Sequence, residues 1–62
     1  MKLWIARDEN GGLYLHFAKP ITDYGKCYFT STRAVVISRE LFPEVTFENS
    51  PQQVEIKLVN EE

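Results

Sequence analysis

Two runs of alternating residues, set on either side of a turn-forming pentapeptide, constrain this chain more than any other feature. Leu3, Ile5 and Arg7 alternate with Lys2, Trp4 and Ala6, and Leu13, Leu15 and Phe17 alternate with Tyr14, His16 and Ala18. A period of two is the mark of a strand, whose successive side chains point to opposite faces of a sheet. Between the runs lies Asp8-Glu9-Asn10-Gly11-Gly12. Asn and Gly tolerate the positive φ that tight turns require, so the segment predicts a β-hairpin. Two registers suit it. A two-residue Asn10-Gly11 turn pairs Trp4 with Phe17 and Ala6 with Leu15, whereas a three-residue Asn10-Gly11-Gly12 loop pairs Ile5 with Phe17. A one-residue slip exchanges every cross-strand partner.

Lys19-Pro20 closes the second strand, because proline cannot donate to a ladder. Thr22-Asp23-Tyr24-Gly25 reads as a turn, and Lys26 to Thr30 returns to strand chemistry, with Cys27 and Phe29 on one side and Lys26, Tyr28 and Thr30 on the other. Ala34-Val35-Val36-Ile37 is mostly β-branched and reads as a buried strand. Ser38 is placed to cap one helical turn over Ser38–Phe42, with Glu40 near its positive end and Pro43 stopping it. Val45-Thr46-Phe47 adds a brief strand, and Glu48-Asn49-Ser50-Pro51 is a turn by composition. Val54 to Val59 gives the clearest strand, with Val54, Ile56 and Leu58 facing one way and Glu55 and Lys57 facing water. Connections this short favour antiparallel pairing, since parallel strands need a crossover of about a dozen residues or more. The expected fold is mainly β: a small antiparallel twisted sheet or partly open SH3-like barrel of four to five short strands, with one helical turn.

The chain has 62 residues, room for a single small domain over 1–62. A chain of this size buries only about 60% of its unfolded surface, so its core is thin and a second copy or a partner can help to cover it. Eight aromatic residues supply much of what core there is. Cys27 is the single cysteine, so no intramolecular disulfide can form, which points to a reducing compartment. The apolar run at residues 3–6 is too short for a signal peptide's hydrophobic region, and no stretch approaches the roughly 20 apolar residues of a membrane span. A cytoplasmic location is expected, with no membrane partner. Charge is uneven. Residues 1–39 hold six basic side chains against three acidic, a balance of +3, while residues 40–62 hold one against six, a balance of −5.

Catalysis finds little support. His16 and Cys27 are the only imidazole and thiol, and a Cys–His pair needs contact and a third group to orient the base. His16 reads as an outward-facing strand residue and Cys27 as a small buried hydrophobe. One Cys and one His cannot build a four-ligand zinc site. Asp8-Glu9-Asn10 lacks the spaced ligand set of a calcium loop, and Gly11-Gly12 lacks the spacing and lysine of a phosphate loop. No cofactor and no enzymatic activity are expected.

Two binding functions follow. Small β-barrels bind single-stranded nucleic acid with stacking aromatics and basic residues, and the stretch containing Lys26, Tyr28 and Arg33 has that texture. The sequence pI of about 5.3 and the missing basic stripe weigh against it. Protein interaction, including self-association, is the favoured reading. Trp and Tyr are enriched in binding hot spots, which singles out Trp4 and Tyr14, and the last strand, if it is an edge, offers unpaired backbone groups to another chain. The candidate binding residues are therefore Trp4, Tyr14, Lys26, Tyr28 and Arg33.

The segments Lys2-Leu3-Trp4-Ile5-Ala6-Arg7-Asp8, Gly12-Leu13-Tyr14-Leu15, Lys19-Pro20 and Leu41-Phe42-Pro43-Glu44 resemble a group of short uncharacterised bacterial proteins of gut bacteria and their mobile elements. The resemblance spans most of the chain. It implies a stand-alone cytoplasmic protein and assigns neither a function nor site residues.

Overall fold

In a computed structural model, which describes residues 1–22 and 27–59, the chain forms β1 (Lys2–Arg7), β2 (Leu13–His16), β3 (Ala34–Ile37) and β4 (Gln52–Glu55). The four strands make one open antiparallel sheet in the order β3-β2-β1-β4, which is the class that alternation and short connections predict. Among the described residues the sheet does not close into a barrel, and β3 and β4 are its two edges.

The hairpin forms in a register that differs from both expected ones: Trp4 pairs with His16, Ile5 with Leu15, Ala6 with Tyr14 and Arg7 with Leu13. The loop is three residues long but begins one residue earlier, at Glu9. The Gly11 N–H donates to the Asp8 carbonyl and the Asp8 N–H to the Gly12 carbonyl, 2.9 and 2.8 Å, while Gly11 takes φ 94°. This is a tight turn followed by a glycine bulge, the usual three-residue hairpin solution. The Asn10 side chain accepts from the Gly12 N–H at 2.9 Å and fixes the exit.

Alternation then assigns the two faces. Leu3, Ile5 and Arg7 share one face with Leu13, Leu15, Val35, Ile37 and Val54; Trp4, Ala6 and Asp8 share the other with Tyr14, His16, Ala34 and Val36. The first face carries the core of Ile5, Leu13 and Val45, with Leu15, Ile37 and Val54 packed against it. The second is covered in part by Phe29, which meets Phe47 at a ring separation of 5.7 Å.

Several local expectations are corrected. Of Lys26–Thr30, the described residues 27–30 form no strand. Their backbone groups go elsewhere: the Cys27 carbonyl accepts from the Glu9 N–H, the Phe29 N–H donates to the Asp8 carboxylate, and only Thr30 pairs, in a bridge with Ile21. Residues 23–26, which include Lys26 and most of the expected turn, lie outside the described residues. Ser38–Phe42 makes a turn instead of a helical turn: the Leu41 N–H reaches the Ser38 carbonyl, the Ser38 hydroxyl accepts from the Glu40 N–H, and Phe42 adopts φ 50°. Thr46 and Asn49 exchange side-chain-to-backbone bonds, which takes the expected strand at 45–47 out of any ladder. The last strand begins two residues early and ends at Glu55, although Ile56 still exchanges both backbone bonds with Met1.

Candidate binding surface

The surface begins with the outer edge of β3. In an antiparallel pair, residues alternate between those that bond their neighbour and those whose N–H and C=O point away. The Phe17 N–H donates to the Arg33 carbonyl, and the β2–β3 register then makes Leu15–Val35 and Leu13–Ile37 the bonded pairs. Ala34 and Val36 therefore turn their N–H and C=O outward, and neither has a partner among the described residues. Val36 is 68% exposed and Val35 46%. Proteins usually blunt such an edge with lysine, proline or a bulge; this one is a run of four apolar residues. Its sequence matches a buried strand equally well, because a continuous β-branched run does not reveal whether a neighbour lies on both sides.

Two arginines bracket the edge. Arg33 lies over the Phe17 ring with its guanidinium carbon 5.5 Å from the ring centre, a cation–π contact. Arg39 rests near Gly11. Both are exposed, and neither has a carboxylate partner among the described residues.

Beside the edge, the first sheet face is incompletely roofed. Ile5, Leu15, Ile37 and Val54 form the floor of an apolar groove of about 550 Å³, with Leu41, Phe42 and Ile56 on its sides. Its Leu41–Phe42 wall is held by Arg7, a residue to which sequence reading gave no role. All five N–H groups of the Arg7 guanidinium find backbone carbonyls: Nε donates to Val45, Nη1 to Gly11 and Arg39 (2.8 and 3.0 Å), and Nη2 to Leu41 and Phe42 (2.9 and 3.1 Å). The planar fork suits this task. Alternation alone placed Arg7 on the core face, and a cation on that face was the available signal that it must be paired there.

A second, smaller pocket of about 260 Å³ opens on the opposite face, lined by Asp8, Tyr14, His16, Tyr28 and Phe29 among others. His16 is 1% exposed, which corrects its expected outward position. Its Nδ1 lies 2.7 Å from the Ser31 hydroxyl, whose own proton goes to the Arg33 carbonyl. With the Ser31 proton on the Arg33 carbonyl, Ser31 accepts from His16 Nδ1–H, and the buried Nε2 has no hydrogen-bond partner among the described residues. Burial lowers the His16 pKa below its ordinary value, against the opposing pull of the Asp8 carboxylate. Cys27 is exposed, not buried as expected, and a hydrogen bond with the Glu9 side chain raises its thiol pKa. No cluster of three or more potential metal-ligating side chains occurs among the described residues.

The residues singled out from sequence do not form one surface. Trp4 is half-buried on the second face, with the Lys19 ammonium 5.4 Å from its ring centre. Tyr14 and Tyr28 line the pocket around His16. Arg33 lies over Phe17, which alternation assigns to the first face, and Lys26 falls outside the described residues. No protein-family model, curated protein or solved structure matches the chain. Among the described residues no helix is long and apolar enough to cross a membrane.

Proposed function

We propose that this protein is a non-enzymatic interaction module that binds another polypeptide by adding a strand at the outer edge of β3. One observation carries the reading: Ala34 and Val36 present two N–H and two C=O groups, without partners among the described residues, on an apolar edge that carries no lysine, proline or bulge. Strand addition takes its affinity from such main-chain groups and its selectivity from pockets for alternate side chains. The exposed Val35 and the neighbouring groove favour an incoming strand with apolar residues at every second position. Arg33 and Arg39 favour acidic residues at its two ends. We assign the module to the cytoplasm as part of the same proposal, in keeping with its one unbridged thiol.

The test is an amide NMR titration. The probe is a short acidic peptide of alternating valine and threonine, N-methylated on alternate amides so that only one of its edges can pair and it cannot stack beyond a dimer. The reading expects shifts centred on residues 33–37 and slowed exchange of the Ala34 and Val36 amides. Shifts centred on Trp4, Tyr14 and Tyr28, or none at all, refute it.

A further inference from the structure

The groups waiting at the β3 edge have a counterpart in the same chain. Beyond β4 the sequence runs Ile56-Lys57-Leu58-Val59, an alternating segment that β1 accompanies only as far as Ile56. Leu58 is 94% exposed and Val59 73%. Such apolar side chains on a strand-patterned segment call for a sheet to lie on. The segment is also acidic at both ends, with Glu55 before it and Glu61-Glu62 after it.

Resting on the β3 edge as a strand acceptor, we propose that the occupant is residues 56–59 of a second copy, added antiparallel. The register follows from the free backbone groups. Ile56 bonds Met1 in both directions, so the neighbours whose groups face away from β1 are Glu55 and, by continued alternation, Lys57 and Val59. Matching these to the outward groups of β3 sets Ala34 opposite Val59 and Val36 opposite Lys57. The residues between them fall together on the apolar face, Val35 opposite Leu58 and Ile37 opposite Ile56. Chain direction brings Arg39 towards Glu55. Backbone pairing, apolar alternation and charge agree in one register. A two-fold pairing of β3 with itself would instead gather four arginines.

The contact is heterologous: the edge of one copy meets the trailing segment of the next, so association propagates unless the geometry closes a ring. Four residues make a small interface, which belongs to the weak class.

Sedimentation velocity from about 10 μM to 1 mM spans that range. Two variants separate the halves of the contact without touching the core. Val36→Lys blocks the edge and leaves the segment, whereas Leu58→Lys spoils the segment and leaves the edge. The parent is expected to associate with rising concentration. Each variant alone is expected to stay monomeric, with apparent affinity weakened by about tenfold or more, and an equimolar mixture to form a 1:1 dimer that grows no further. If Leu58→Lys alone associates like the parent, edge pairs with edge and the proposal is wrong. It is equally wrong if Val36→Lys alone associates like the parent, if the mixture remains monomeric, or if the parent does. In any of these cases the model peptide decides separately whether the β3 edge accepts a strand at all.

Discussion

Replacing Arg7 by methionine keeps the aliphatic stem and removes the guanidinium, so it isolates the clamp described above. Five carbonyls lose their donor. Those of Arg39, Leu41 and Phe42 are reached by exposed bonds and can turn to water, while the bonds to Val45 and Gly11 are part-buried. A hydrogen bond involving a charged group contributes about 1.5–3 kcal/mol net, and less where water competes. Counting mainly the two shielded bonds, and allowing for non-additivity, the substitution costs about 2–4 kcal/mol. A domain of this length has roughly 3–9 kcal/mol in total at typical stability per residue. Urea unfolding followed by Trp4 fluorescence reads the change directly. With an m-value of about 1 kcal/mol/M for so small a domain, the midpoint falls by about 2–4 M. Arg7→Lys recovers only part of this, because an ammonium cannot span five acceptors laid out for a planar fork. A loss below about 0.5 kcal/mol for Arg7→Met, the range of an ordinary surface substitution, refutes the clamp.

Gly11→Ala places a side chain at φ 94° and sets its Cβ 3.4 Å from Arg39 Nη1; a loss of about 1–2 kcal/mol in urea unfolding is expected, and an unchanged midpoint argues against the glycine bulge. His16 has a folded-state pKa below its unfolded value of 6.5, so the unfolded chain binds the proton more readily. Its stabilising contribution is complete above about pH 6.5 and is lost as pH falls through the lowered folded pKa. Urea midpoints between about pH 5 and 7, above the usual carboxylate range, should decline towards acid for the parent and stay level for His16→Phe; equal slopes contradict the buried neutral imidazole. Removing the Glu9 side chain should lower the Cys27 pKa and speed its alkylation at pH 8, whereas an unchanged rate removes Glu9 as the cause of the raised value.

Much of the sheet was legible because its signals are local. Alternation in residues 2–7 and 13–16, with Asn10 and Gly11 between, specifies the first hairpin. The register was not, since it depends on which residue takes positive φ, and three adjacent turn-formers leave that choice to the Asp8 and Gly12 backbone bonds. The helical turn at Ser38–Phe42 failed for a long-range reason: its carbonyls are drawn to a guanidinium more than thirty residues away. The binding surface was harder still. An apolar run such as Ala34–Ile37 reads alike whether it lies inside a sheet or at its edge. Trp4 and Tyr14 stand out as interface residue types, yet the outward-facing backbone lies on residues whose side chains carry no chemical label.

Amide hydrogen exchange along β3 reports on its outward backbone groups residue by residue. In dilute protein, Val35 and Ile37 should be protected by their bonds to β2 while Ala34 and Val36 exchange freely. At high concentration, or with the acidic strand peptide, Ala34 and Val36 should slow and their neighbours remain as they were. Protection at Ala34 and Val36 in the dilute protein, or free exchange there under every condition, would contradict the claim that this edge waits for a strand.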